Sequence, residues 1–160
     1  MALDLIAELE AVLDALAGAT IEYALCGGLA VAVHGHPRAT MDIDIMVPPD
    51  QLAMALRAVQ AIGFDLPTRT MTFGLRTGMP REIQRVSKNE PTTGGLLSLD
   101  LLVVGAALAD AWADRISVRW RDRDLSIVSR GGLIAMKRLA GRPQDLADIA
   151  ILEGATDDEA

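Results

Sequence analysis

Apolar residues spaced as on a helix open the chain. Ile6, Leu9, Leu13 and Leu16, with acidic residues between them, predict an amphipathic helix over 3–17 that Gly18 ends. Residues 21–26 then read as an apolar strand, 28–34 as a short, almost wholly apolar and therefore buried helix, and 41–47 as a second strand. Pro37 closes the short helix, and Pro48-Pro49-Asp50 introduces a further helix over 51–62 that stops at Gly63. From 69 to 86 the pattern is strand-like, with a turn at Thr77-Gly78-Met79-Pro80, and 88–95 reads as a polar loop. Residues 96–104 are an apolar run, the pattern of a central strand buried on both faces. A short helix over 106–113, a hairpin of 116–120 and 125–128 around Asp122-Arg123, and two helices over 132–140 and 143–152 complete the pattern. There is no internal repeat, low-complexity tract or linker. The expectation is one mixed α/β domain over 1–153, with 154–160 an acidic tail that frays.

The strand over 41–47 carries the first sign of chemistry. Alternation lets Met41, Ile43, Ile45 and Val47 face a core, while Asp42 and Asp44 project together from the other side, roughly 7 Å apart along the chain. Two neighbouring carboxylates repel, and one is driven toward protonation unless a cation sits between them. Mg2+ suits such a pair, because it takes one or two carboxylates and completes its shell with water and phosphate oxygens. Upstream, Gly27-Gly28 lies at a strand-to-helix turn, where glycines let backbone N–H groups approach a phosphate. A phosphate cradle followed by a metal-binding strand predicts a nucleotide site.

These residues resemble the signature of the polymerase-β-type nucleotidyltransferases: an apolar strand, Gly-Gly, and two acids alternating with apolar residues. Here thirteen residues separate Gly27-Gly28 from Asp42-Ile43-Asp44-Ile45. The longer run GGLAVAVHGHPRATMDID, and LIAMKRLAGRPQDLADIAIL near the C-terminus, are similar to the bacterial branch that includes the AbiEii-type toxin nucleotidyltransferases. Gly28 stands where many relatives carry a serine whose hydroxyl contacts a triphosphate. The resemblance implies the polymerase-β-like fold, a central mixed sheet flanked by helices, with the C-terminal helices packed on the core. It also implies a third acid on a neighbouring strand. Asp100 is the only acidic residue between Glu90 and Asp110 and lies in the strand expected to be central. A buried carboxylate there needs a partner, since an unpaired one costs several kcal/mol. The alternative is an aspartate accepting loop hydrogen bonds at a strand end.

With Asp42, Asp44 and Asp100 as metal ligands and catalytic carboxylates, the implied mechanism is two-metal nucleotidyl transfer. A hydroxyl attacks the α-phosphorus of an NTP and releases pyrophosphate. Mg2+ is the expected ion, with Mn2+ a possible substitute, and the NTP is the substrate. Gly27, Gly28, Arg38, Thr40 and Lys137 are the expected nucleotide contacts, assisted by Arg142. For Lys137, pairing with Asp145 or Asp148 is the competing reading. Those two acids lie early in a helix begun by Pro143, where they meet the dipole favourably. His34 and His36, with no Cys or further His to join them, fit helix-end packing better than a metal.

Charge and composition narrow the partners. A net charge of −7 opposes tight nonspecific binding of polyanions, yet residues 115–142 hold eight basic residues against Asp122 and Asp124. Residues 69–88 add five more against Glu82, so a basic wall beside the acids would suit a triphosphate or an RNA end, a solvated face being the plainer reading. The single Cys26 excludes an intrachain disulfide and fits a reducing cytoplasm. MALDLIAELE lacks the basic start of a signal peptide, and Asp100 and Asp110 interrupt the most apolar stretch, so no membrane span is expected. The acceptor expected is an RNA or tRNA end or a protein hydroxyl. A toxin–antitoxin pair, with a cognate antitoxin as partner, is the implied setting. A catalytically silent nucleotide-binding or partner-binding module on the same fold is the rival.

Overall fold

In the computed structural model, residues 3–37, 40–66, 69–74, 78–92 and 94–158 are described. Helix α1 (Leu5–Gly18) starts where Asp4 Oδ1 accepts the amides of Ile6 and Ala7, a side-chain cap that sets the first turn. Strand β1 (Ala24–Cys26) leads directly into helix α2 (Gly27–Val33), and β2 (Asp42–Val47) follows. A single 3₁₀ turn over Pro49–Gln51 precedes α3 (Leu52–Gln60). Strands β3 (Arg69–Phe73), β4 (Arg81–Asn89) and β5 (Leu96–Val103) come next, then α4 (Ala109–Ala113) after a 3₁₀ turn over Ala106–Leu108. The hairpin β6 (Ile116–Trp120) and β7 (Arg123–Ile127) turns on Arg121 and Asp122, both left-handed, as a two-residue hairpin turn requires. Helices α5 (Arg130–Ala140) and α6 (Pro143–Asp158) end the chain.

The seven strands form one mixed sheet in the order β3-β4-β5-β2-β1-β7-β6. β2 runs parallel to β5 and antiparallel to β1, so the strand carrying Asp42 and Asp44 is the middle one, flanked by its two pairing partners. Ile43, Ile45, Leu99 and Leu101 are fully buried and join Leu9, Val12, Leu13 and Leu16 of α1 and Val59 of α3 in the core. The alternate positions of β2 and β5 are thereby committed to the opposite face.

Several boundaries differ from the pattern-based expectation: β1 begins only at Ala24, the hairpin turns one residue earlier, on Arg121-Asp122, and the expected helix over 106–113 is a 3₁₀ turn followed by α4. The polar stretch from Lys88 belongs to β4 as far as Asn89, because Lys88 Nζ donates to both carboxylate oxygens of Glu8 and to the Ile62 carbonyl, all within 3.1 Å. A strand lysine with a buried stem and three fixed partners mimics a loop residue in sequence. The last helix runs to Asp158, into the acidic segment expected to fray.

Candidate functional site

Strand register builds the site. Asp42 pairs with Ser98 and Asp44 with Asp100 across β2 and β5, so the three aspartates rise from one face of adjacent central strands. The row continues on both sides, with Cys26 opposite Asp44 on β1 and Arg85 opposite Asp100 on β4. A cleft of about 540 Å3 opens over this face. Its floor includes the aspartates, Gly27 and Gly28. Met71, Phe73, Arg81, Ile83 and Arg85 of β3 and β4 form one wall. Leu133, Met136 and Lys137 of α5, with Arg142 and Asp145, form the other.

Gly27 is where the backbone and the acids meet. Its φ of 69° is left-handed, and a Cβ added there would lie 2.1 Å from Asp44 Oδ2. No side chain fits, so the start of α2 rests directly against the carboxylate. α2 is then locked down by Leu29, Ala30 and Val31 in the core and by His34, whose Nε2 donates to the Val128 carbonyl at 2.9 Å. That contact gives His34 the helix-end packing role. Among the described residues no group of three or more His, Cys, Asp or Glu side chains is arranged to hold a metal ion, so neither the histidines nor the three aspartates make a ready cage.

The aspartates differ in their surroundings. Asp100, 6% exposed, receives Arg85 as a side-on fork, Nε to Oδ1 at 2.8 Å and NH2 to Oδ2 at 2.9 Å. The same bonds hold the Arg85 guanidinium more firmly protonated than usual. Among the described residues Asp42 and Asp44 have no hydrogen-bond donor or ion-pair partner. Burial, then the charges of Asp100 and Asp42, pushes the Asp44 carboxyl up to about 7, against the pull of Arg85 and Lys137. Two carboxylates lacking a cation, one of them strained toward protonation, fit a small divalent ion completed by phosphate oxygens better than an all-protein metal cage.

Lys137 is 7% exposed and answers the competing readings of its role with a pairing. Its Nζ lies 2.9 Å from Asp148 Oδ2 and 3.8 Å from Asp145 Oδ1, while still lining the cleft. Gly141, at φ 65°, ends α5 and turns the chain so that α6 returns against it. Arg142 Nε then donates to Asp145 Oδ2 at 2.7 Å, and its backbone N–H donates to the same oxygen. Burial would raise the Asp145 carboxyl, but those bonds and the Arg142 charge hold it below its ordinary value. Cys26 is a buried core residue whose thiol is pushed up by burial and by Asp44. Thr40 lines the cleft; Arg38 lies outside the described residues.

The basic run over 115–142 does not form a free wall. Arg115 pairs with Glu22, Arg119 with Asp124, Arg121 with Glu10 and Arg123 with Asp14, while Arg138 pairs with Glu153. Acids near the two ends of the chain, with Asp124 from within the run, pair with these five arginines. Among the described residues the cations lining the cleft are Arg81, Arg85, Lys137 and Arg142, the last three bonded to Asp100, Asp148 and Asp145 respectively. Pattern reasoning missed Arg85 as a site residue. The available signal was period two: Arg81, Ile83 and Arg85 alternate on one face of a strand.

A family model for aminoglycoside-2''-adenylyltransferase matches residues 8–84, just under half of the chain. No curated protein sequence matches. Among solved structures, the antibiotic-resistance factor ANT(2'')-Ia in complex with adenylyl-2''-tobramycin superposes with a TM-score of 0.60 at 14% identity, covering 94% of this chain and 88% of that one. Its solution structure gives 0.53 at 15% identity, with 96% and 91% covered. A candidate nucleotidyltransferase of Thermotoga maritima gives 0.52 at 14% identity, with 96% and 89% covered. The fold is the polymerase-β-like nucleotidyltransferase fold.

Proposed function

We propose that the chain is an Mg2+-dependent nucleotidyltransferase that moves an NMP group from an NTP to a hydroxyl acceptor. The observation that carries this reading is the register of β2 on β5, which sets Asp44 beside Asp100 with Asp42 on the same face. The family model and the structural neighbours support the reaction class, and an adenylylated product in one neighbour makes ATP the first NTP to try. Asp42 and Asp44 would hold the ion, with Mn2+ a substitute. A divalent ion there supplies charge neutralisation on the triphosphate. Gly27 and Gly28 receive phosphate at their backbone, Thr40 lines the same cleft, Arg38 is carried as a nucleotide contact from the sequence resemblance alone, and Lys137 adds positive potential from its buried pair. Asp100 faces the acceptor hydroxyl. As that oxygen bonds to the α-phosphorus, the bridging P–O bond to the β-phosphate breaks, pyrophosphate departs, and the hydroxyl proton passes to a carboxylate or water. Positioning and charge complementarity lower the barrier, with no covalent intermediate on the protein.

The sequence resemblance to the AbiEii branch favours a toxin of a toxin–antitoxin pair acting in the cytoplasm on a tRNA end or a protein hydroxyl. The antibiotic hydroxyl of the structural neighbours is the competing acceptor. The test is calorimetric titration of the four NTPs with and without Mg2+, for wild type and Asp42→Ala/Asp44→Ala. Mg2+-dependent binding that the double variant loses supports the site and justifies an acceptor screen with labelled NTP. Failure of wild type to bind any NTP would refute it.

A further inference from the structure

This inference rests on the reading of the cleft as a metal–nucleotide site and concerns how many ions it takes. β5 lies between β2 and β4, so Asp100 has Asp44 on one side and Arg85 on the other in a single row of paired positions. The Arg85 fork engages both Asp100 oxygens, at 2.8 and 2.9 Å. Asp42 and Asp44 lack any such partner among the described residues. The face therefore presents two carboxylates without a cation and one already neutralised by a charge that does not dissociate. A second ion at Asp100 would sit within a few ångströms of the guanidinium and would have to displace a bidentate, partly buried bond. Arg85 also keeps 38% of its side chain exposed and lines the cleft, so its charge reaches the ligand space.

We infer that the site takes one divalent ion, on Asp42 and Asp44, and that the Arg85 guanidinium serves as the fixed second positive charge at Asp100. The fork uses one lone pair on each Asp100 oxygen and leaves the others. Asp100 is thereby released from metal duty and turned toward the acceptor hydroxyl as a hydrogen-bond acceptor. Arg85 is a positioning residue in this scheme.

The test counts ions directly. Mn2+ is titrated into the full chain with a saturating α,β-methylene ATP analogue, and free Mn2+ is read by electron paramagnetic resonance after correction for ions held by free nucleotide. Wild type and Arg85→Lys should each bind one Mn2+ per chain. Arg85→Gln should bind a second, because Asp100 is left without its cation, and Arg85→Gln/Asp100→Asn should return to one. Asp42→Ala/Asp44→Ala should bind none. Two ions on wild type, or only one on an Arg85→Gln variant with a native circular dichroism spectrum, would overturn the assignment while leaving the metal–nucleotide site intact. No ion on wild type would remove the site itself and the inference with it. Should Arg85→Gln not fold, the wild-type count decides alone.

Discussion

Substitution of Gly27 by alanine separates two effects that usually travel together, backbone strain and collision with a functional group. Its φ of 69° costs an L-residue about 1–2 kcal/mol. The new Cβ would also fall 2.1 Å from Asp44 Oδ2 and 2.8 Å from Asp44 Cβ and Cγ, so the carboxylate or the start of α2 must move. Forcing a methyl into packed surroundings adds about 1–3 kcal/mol. The sum is about 2–5 kcal/mol, a fall in Tm of roughly 6–15 °C at about 3 °C per kcal/mol for a chain of this size. Gly94 is the natural control, with φ 74° and nothing within 4 Å of an added Cβ. Gly94→Ala should carry the strain alone, about 1–2 kcal/mol. Differential scanning calorimetry of both variants, paired with Mg2+-dependent nucleotide binding, checks the reasoning. Gly27→Ala should lose at least tenfold in nucleotide affinity, whereas Gly94→Ala should bind as wild type. Equal losses of Tm, or unimpaired binding by Gly27→Ala, would refute the claim that Gly27 is glycine to make room for Asp44.

Asp44 also makes metal-free stability depend on pH. Its carboxyl is raised from 3.8 to about 7, so the native state holds this proton more tightly than the unfolded chain does. Stability therefore falls as pH rises from about 4 to 7 and levels off above, by at most about 4 kcal/mol at 1.36 kcal/mol per pKa unit. Asp44→Asn lacks this penalty, so its urea midpoint in EDTA should gain on wild type across that window; parallel pH curves would contradict the expectation. Lys137→Met leaves Asp148 buried without its ammonium and should cost about 3–5 kcal/mol in urea unfolding. Lys137→Met/Asp148→Leu should recover most of that loss, and a double variant no more stable than the single would refute the pairing argument.

Much of the fold was legible because its signals are local. The Gly-Gly turn, the alternation over 41–47, the apolar run around Asp100 and the hairpin at Asp122 each declare themselves within ten residues or so. The ladder order does not. Arg85 reads as one more surface arginine until β4 is known to lie beside β5, where register alone delivers it to Asp100. The same holds for the basic run after Arg115, whose counter-charges Glu10, Asp14 and Glu22 come from the opposite end of the chain. Lys137 was legible as a charge near the site, but its choice of Asp148 required the αL turn at Gly141 to bring α6 back alongside.

The parallel pairing of β2 with β5 also bears on how the site comes into being. About fifty residues, including α3 and the whole β3–β4 excursion, intervene between the two strands. Closing so long a loop is paid for in chain entropy before any ladder bond returns it, which places β5 docking late in folding. A nascent chain that has emerged only through β4 already carries Asp42, Asp44 and Arg85, but nothing between them. Insertion of β5 between β2 and β4 converts a bare repulsive pair and a distant cation into one ordered row. Docking of β5 therefore orders the acidic face and joins the β3–β4 edge to the middle of the sheet in one event, so a chain folded only as far as β4 has no ordered row.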